Sequence, residues 1–283
     1  MKVRQSILAG SWYPDTAGAV KREIDDFIGD PAVRSVAGKP LVGGIVPHAG
    51  WYFSGAIACN VIRSLTEGPA PDAVILFGMH LHSTSPCHIM KEGGWETPLG
   101  VLEIEETITG ELCRRFNFRV ETTERFTRDN TIEVQLPFVK HFFPEARIVP
   151  IGVPPSDKAL EIARAAAEIA RENNLTVRVI GSTDLTHYGV NYGFMPEGRG
   201  QAALDWVRQT NDKKVIDAML AMDPSRVIQE ALANHNACCG GAAAAAIEAA
   251  RALGAEKAET IAYATSHDKH PGNSFVGYVG IVF

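Results

Sequence analysis

Residues 41–54 read LVGGIVPHAGWYFS, and this stretch decides the fold. Its first half is an apolar run with β-branched residues, which is typical of a buried strand in a parallel sheet. Pro47 ends that strand because proline has no N–H to give to a sheet ladder, and His48 follows at once. From Ser54, a residue type that caps helices, the apolar spacing predicts a helix. His48 is therefore predicted to lie between the carboxyl end of a strand and a helix, where open α/β sheets bind ligands.

The same order of strand and histidine occurs twice more along the chain. The polar side chains that follow these two predicted strands are His80 and His82 after residues 73–77, and Asp184, His187 and Tyr188 after residues 177–180. Because the carboxyl ends of parallel strands share one edge of a sheet, these side chains can converge on His48. Asp184 is close enough to His187 in sequence to fix the tautomer of its imidazole.

Strand and helix patterns alternate over the whole chain, with no internal repeat and no linker long enough to separate domains. We therefore predict a single α/β domain over residues 1–283, with a central, mostly parallel mixed sheet flanked by helices. In residues 130–143, Asn130 or Thr131 is predicted to cap a helix, and Pro137 fits that helix only in its first turn. Glu133 is either a structural cap or a pocket carboxylate.

Composition excludes several classes of protein. The formal net charge of −6 over 283 residues, without a polybasic block, argues against nucleic acid as a partner. No apolar run is long enough for a membrane span, and the first residues lack the apolar region of a signal peptide. Five cysteines without a regular framework indicate reduced thiols and a cytoplasmic location.

Two adjacent cysteines precede the last long helix. Cys239 lies directly before Gly240 and Gly241, at the predicted helix start, where backbone N–H groups favour a thiolate. Neighbouring side chains on an extended loop point to opposite faces, so we expect only one of the two thiols to be a ligand. We predict that Cys239 binds a metal and that Cys238 packs against the core as a small apolar residue.

Two imidazoles and a thiolate form a donor set that suits zinc, iron or copper and is poor for magnesium or calcium. A site with three protein ligands leaves positions open for water, dioxygen or substrate, which is the catalytic pattern. The spacing of these residues matches no compact zinc-finger motif. The residue types therefore predict a metal centre at the sheet edge, with His80 and His82 both open as the second histidine ligand.

Over nearly its whole length the sequence resembles the Memo family, also called AmmeMemoRadiSam system protein B. The blocks that carry the resemblance are AGSWYP at 9–14, PHAGW at 47–51, the histidine after ILFG at 75–78, NTIEVQLPF at 130–138, STDLTHYG at 182–189, CG at 239–240 and VGYVGIVF at 276–283. The order and spacing of the blocks are specific, although a single block such as PHAG is weak. The resemblance implies a fold similar to the class III, non-haem iron extradiol dioxygenases.

The resemblance also implies roles for individual residues. His48, His80 and Cys239 match its metal-site positions, His187 matches the acid/base histidine of the dioxygenases, and Asp184 is its neighbour. The chain departs from the family pattern at Gly78-Met79-His80, which is one residue shorter before the histidine. His82, Glu133 and Tyr188 are expected as pocket residues. The family name also points to a radical SAM protein as a partner.

Three functions follow from these observations. The first is a metal-dependent protein with an iron or copper ion on two histidines and one cysteine, and with redox or dioxygenase-like chemistry on an unknown small molecule. The second is a non-catalytic protein that binds a small ligand or a peptide in the same cleft. The third is a zinc hydrolase.

Overall fold

A mixed sheet with four parallel strands at its centre forms the middle of the molecule. The computed structural model describes residues 1–34, 36 and 41–283. The strands are β1 Val3–Arg4, β2 Gly43–Val46, β3 Ala73–Gly78, β4 Cys87–Met90, β5 Gly94–Thr97, β6 Gly100–Glu103, β7 Phe118–Glu121, β8 Arg147–Gly152, β9 Val177–Ser182, β10 His187–Tyr188, β11 Glu259–Thr265 and β12 Phe275–Val282. The α-helices are α1 Ala17–Ile28, α2 Trp51–Ser64, α3 Glu106–Arg115, α4 Leu136–Phe142, α5 Asp157–Glu172, α6 Gln201–Trp206, α7 Asp212–Leu220, α8 Pro224–Asn234 and α9 Gly240–Ala252.

The order of strands in the large sheet is β10-β12-β2-β9-β3-β8-β4-β7, and β11 also pairs with β12. The pairs β2–β9, β9–β3 and β3–β8 are parallel, whereas β12 runs antiparallel to its neighbours and β4 runs antiparallel to β8. A second sheet has the order β1-β5-β6. The predicted α/β fold with a mixed sheet between helices is confirmed, and its parallel pairs are concentrated at the centre.

Successive side chains of the central strands enter two different cores, as the period of a strand requires. In β3, Ile75 and Phe77 belong to one buried cluster, and this cluster includes the alanines of α5 and α9. Val74 and Leu76 belong to the other cluster, with residues of α1, α2 and α4. A Cβ atom at Gly181 would lie 2.7 Å from the carbonyl oxygen of Ala242. Glycine in β9 therefore lets α9 approach the sheet closely, which brings the residues before α9 to the sheet edge.

The helix after His48 begins at Trp51, three residues earlier than the predicted start at Ser54. Trp51 is buried, its ring stacks on Phe138 with centroids 4.0 Å apart, and its indole N–H donates to the carbonyl of Val134. Burial of this large aromatic surface offsets the missing side-chain cap.

The segment before Pro137 also differs from the prediction. Pro137 does lie in the first turn of α4, but a 3-10 turn, Glu133–Gln135, precedes that helix. Asn130 and Thr131 cap neither element, because their side chains bond to other loops.

Within residues 1–34, 36 and 41–283, no helix combines the length and the apolar character that crossing a membrane requires.

Candidate metal centre

Strands β2, β3 and β9 end at one edge of the sheet, and the residues after them meet there. His48 follows β2 and His80 follows β3, while Cys238 and Cys239 come from the turn before α9. Each of these four side chains offers one donor atom, and the four atoms lie within 4.8 Å of one another. The structure therefore brings together both predicted histidines and both cysteines in a group that could hold a metal ion.

The end of β3 determines which histidine reaches this group. Met79 has a φ of 74°, which is rare for a residue with a side chain, and its N–H donates to Thr131 Oγ1 at 2.7 Å. This turn directs His80 into the group. His82 lies outside the group, with its Nδ1 atom 3.1 Å from Thr84 Oγ1, and lines the neighbouring cleft. Of the two alternatives, the structure places His80 at the centre.

A hydrogen bond behind His48 occupies its Nδ1 atom, so Nε2 is the atom that can bind a metal. Ser182 Oγ donates its single proton to the carbonyl of Thr131 at 2.7 Å. Ser182 Oγ can therefore only accept from His48 Nδ1, which is 3.0 Å away. Nδ1 therefore carries a proton, and Nε2 faces Cys238 Sγ at 3.2 Å. Burial would lower the pKa of His48, but Asp184 and Cys238 raise it, so a metal at Nε2 would displace a proton.

His80 has the same arrangement with a carboxylate as its partner. Both its backbone N–H and its Nδ1 atom lie 3.0 Å from Asp129 Oδ2. Burial raises the pKa of Asp129, but the bonds to His80 and Thr131 outweigh it and lower that pKa well below its ordinary value, so the group is a carboxylate and Nδ1 is the donor. Burial alone would lower the pKa of His80, but hydrogen bonds to Asp129 and Cys238 raise it to about 10. The His80 ring stands edge-on to the His48 ring at a centroid distance of 5.0 Å.

Of the two cysteines, Cys239 is the more deeply buried, which is the opposite of the prediction. Cys239 is 3% exposed, and its Sγ atom donates to the carbonyl of Met79 at 3.5 Å. Cys238 is half-buried and contacts His48 Nε2. The expectation that Cys238 is the residue packed into the core is therefore corrected, because Cys239 is the N-cap of α9 and turns inward with that helix.

The electrostatic surroundings separate the two thiols further. Burial alone would raise the pKa of Cys238, but its hydrogen bond with Cys239 and the imidazoles of His48 and His80 lower it well below its usual value. Burial, followed by the neighbouring Cys238 sulfur, raises the pKa of Cys239 well above its usual value. The thiol pKa is therefore lower at Cys238 than at Cys239, which favours the thiolate form at Cys238.

Asp184 hydrogen-bonds to the backbone of His48 and does not fix the tautomer of His187, which corrects the predicted pairing. Asp184 Oδ1 accepts the backbone N–H of His48 at 2.7 Å, and its Oδ2 atom lies 3.9 Å from His48 Nε2. The pKa of Asp184 is raised by burial, although the charge of His48 opposes that shift. His187 Nδ1 instead lies 3.1 Å from the carbonyl of Leu185, to which it donates.

Two of the expected pocket residues have structural roles. Glu133 is fully buried, and its Oε1 atom accepts the N–H groups of Ile7 and Leu8 and the hydroxyl of Tyr13. It therefore ties the amino-terminal segment to the core, a structural role that differs from the helix cap considered above. Tyr188 is also fully buried, with its hydroxyl donating to the carbonyl of Gly198.

Two clefts open beside the metal-binding group. The larger one, of about 740 Å³, reaches Cys238, and the other, of about 550 Å³, reaches His48. His80, His187 and Tyr192 line both clefts. The His187 ring stands edge-on to Tyr192 at 5.0 Å between centroids. A molecule bound in either cleft would therefore meet His187 next to the metal-binding group.

Sequence reasoning missed Asp129 and Ser182, the residues that set the tautomers of His80 and His48. Ser182 is the last residue of β9, and Asp129 lies in a loop 49 positions after His80. A signal was available for Asp129, since metal-binding imidazoles usually donate their second nitrogen to an acceptor and a carboxylate is a common one. The sequence does not show which of its many carboxylates lies behind which histidine.

Comparisons with known proteins match one family over nearly the whole chain. Residues 4–282 match the profile of the family described as Memo-like protein. A MEMO1 family protein of Methanopyrus kandleri is 32% identical over 292 residues, covering 99% of this chain and 98% of that protein. A MEMO1 family protein of Pyrococcus abyssi is 31% identical over 290 residues, covering 99% of both chains.

A solved structure shares the fold. The crystal structure of an uncharacterized protein of Escherichia coli K12 aligns with a TM-score of 0.51 and covers 86% of this chain and 99% of that one. Its sequence identity is 11%, so this likeness concerns the fold alone.

Proposed function

The chain belongs to the Memo-like family, and from that premise we propose that it binds iron or copper through His48, His80 and Cys238 for redox chemistry on a small molecule. One observation carries the proposal. Both imidazoles have Nδ1 committed to a hydrogen bond, so that their Nε2 atoms are left for a metal beside a sulfur atom of low pKa.

The donor set fits such an ion. Imidazole nitrogen and thiolate suit iron, copper and zinc, and the three atoms come from three separate loops that share one sheet edge. Iron or copper would supply a change of oxidation state there, which zinc cannot. The position before Gly240 favours Cys239 by resemblance, whereas the contact with His48 favours Cys238. We choose Cys238 because a metal ligand must be the thiolate and must face the other donors.

We assign His187 the task of holding or moving a proton of the bound molecule. It lies at the junction of the two clefts, and its Nδ1 atom donates to Leu185, so Nε2 is the atom available to a ligand. Asp184 keeps the loop of His48 in place through the backbone bond. Replacement of His187 by alanine should leave metal content unchanged and abolish turnover, which metal analysis and an activity assay on one preparation would compare.

The test of the proposed function is the metal content of protein purified without oxygen, followed by oxygen consumption. Iron or copper at near one equivalent, with oxygen uptake, is the expected result. His48→Ala should lose the ion, whereas the matched control His82→Ala, which lines the same region outside the group, should keep it. Zinc as the sole ion would favour a hydrolase, and a site without affinity for any of these metals would favour a binding protein. Either result would overturn the proposal.

A further inference from the structure

A short segment without regular secondary structure, residues 127–131, contacts the loops of both metal-binding histidines. We infer that Asp129 is the positioning residue for His80, and that this 127–131 segment holds both histidine loops in the geometry that a metal requires. The inference rests on the proposed metal function and extends it to residues that do not touch the ion.

Asp129 accepts two hydrogen bonds from His80. One carboxylate oxygen, Oδ2, accepts both the backbone N–H and the Nδ1 proton of His80. The other oxygen, Oδ1, accepts the backbone N–H of Thr131 at 2.9 Å and also the Thr131 hydroxyl, at 2.5 Å. The Asp129 side chain thus fixes both the backbone position and the ring orientation of His80. Bonds to Thr131 hold that side chain in place.

The next two residues, Asn130 and Thr131, bond to the loops that follow β2 and β3. Asn130 Nδ2 donates to the carbonyl of His48 at 2.7 Å. Thr131 Oγ1 accepts the N–H of Met79 at the left-handed turn before His80. The carbonyl of Thr131 accepts the hydroxyl of Ser182, which in turn accepts from His48 Nδ1. Each histidine is therefore bonded to the segment directly or through one intermediate group.

The segment is itself anchored from behind. Glu121, at the end of β7, accepts the N–H of Thr127 at 2.8 Å through Oε1. Its other oxygen accepts from Arg4 at 3.1 Å. The Arg4 guanidinium lies between two rings, 3.6 Å from the centroid of Trp95 and 3.8 Å from that of Phe126. This buried ion pair keeps the start of the segment in place without contact to the metal-binding group.

Cobalt(II) is the probe for the test, because its absorption reports both thiolate coordination and ligand geometry. We expect Asp129→Ala to weaken cobalt binding by about 10–100-fold, the usual effect of losing the outer partner of a metal-binding histidine. The d–d bands should also change, since a purely structural role would lower stability without altering the coordination spectrum. Asp129→Asn should bind more tightly than Asp129→Ala, because the amide keeps one acceptor for the imidazole.

Glu105→Gln is the matched control. Glu105 is a buried carboxylate that, like Asp129, accepts from a backbone N–H and from a side chain, here those of Thr107 and Arg147, but it bonds to neither histidine loop. Its replacement should lower the melting temperature and leave cobalt affinity and spectrum unchanged. Equal cobalt affinity and an identical spectrum in Asp129→Ala and the wild type would overturn the inference.

A measurement on the wild-type protein makes the test independent of how the variants fold. In the zinc-loaded protein, nitrogen NMR of His80 should show a protonated Nδ1 and zinc on Nε2. Zinc on Nδ1, or a proton on Nε2, would contradict the role of Asp129. Absence of cobalt and zinc binding in the wild type would instead reject the proposed function itself, so the two failures can be told apart.

Discussion

The molecule contains two histidine–carboxylate pairs with nearly the same hydrogen bond and different surroundings, since the side chain of His80 is 43% exposed and that of His88 is 5% exposed. His80 Nδ1 lies 3.0 Å from Asp129, and His88 Nδ1 lies 3.1 Å from Glu121. The ring of His80 has a second imidazole and a low-pKa thiol beside it, and it lines two clefts. The His88 pair shares its carboxylate with a buried arginine instead. The bond itself is therefore no sign of function, and the neighbours of the second nitrogen decide the role.

The two carboxylates also differ in the other groups that they bind. Glu121 accepts from His88, Arg4 and the backbone of Thr127, so its charge is matched by a cation within the core. Such a network stabilises the fold only while every member is present. Around His80, by contrast, the two imidazoles and two sulfur atoms of the metal-binding group lie within 4.8 Å of one another, and a metal cation could displace their protons.

The largest effect should come from removing one histidine of each pair. His80→Ala should abolish near-stoichiometric binding of zinc or iron with little loss of stability, because the residue lies in a loop at the edge of a cleft. His88→Ala should retain metal binding and lower the melting temperature. Metal analysis and thermal unfolding of both variants would measure the contrast, and metal loss in His88→Ala alone would reverse the assignment of the two pairs.

Substitution of each cysteine gives the next test of the metal-binding group. Cys238→Ser should weaken zinc binding by more than the roughly 10–100-fold typical of losing an outer partner. Cys239→Ser should change the affinity by less, since the Cys239 thiol donates to the carbonyl of Met79. Competition titrations with a zinc indicator, at equal folded content, would compare them. Retention in Cys238→Ser with loss in Cys239→Ser would make Cys239 the ligand, as the sequence predicted.

On the structural side, Glu121→Ala should reduce the free energy of unfolding by about 3–5 kcal/mol, because it leaves a buried guanidinium without its partner. Denaturant titration would measure this loss. Glu124→Ala is the control, since its ion pair with Lys2 is exposed and should contribute little. A loss for Glu121→Ala no larger than that of the control would mean that the buried pair does not stabilise the fold.

The smallest expected effect is the dependence of zinc affinity on pH, which also distinguishes the two histidine–carboxylate pairs. With a pKa of about 10, His80 is protonated near neutrality in the metal-free protein, so a metal must displace that proton. Zinc affinity should therefore rise by about tenfold per pH unit for each proton displaced. For the metal-free fold, the stability that this raised pKa contributes is complete below 6.5 and is lost as the pH rises through about 10.

Proton release can be counted by calorimetric zinc titrations in buffers of different ionisation enthalpy. The same titrations on His88→Ala should give the wild-type count. A binding affinity that does not vary between pH 6 and 8 in the wild type would contradict the displacement of a proton from His80.

Local sequence patterns were enough for the backbone around the site. The strands that precede His48, His80 and Asp184 could be predicted because each depends on periodicity over a few residues. The start of α2 was misplaced at Ser54, because stacking of Trp51 on Phe138 outweighs a favourable cap. This contact joins residues far apart in the chain, and no local pattern contains it.

The amino-acid sequence by itself determined that histidines would follow buried parallel strands and that a pair of cysteines would precede the last long helix. Only the tertiary structure decided which sulfur faces His48 across 190 positions of sequence, and that Asp129 lies behind His80. The physical reason is that side-chain direction in a loop depends on individual backbone angles, such as the φ of 74° at Met79, and on packing of remote elements. Periodicity describes neither.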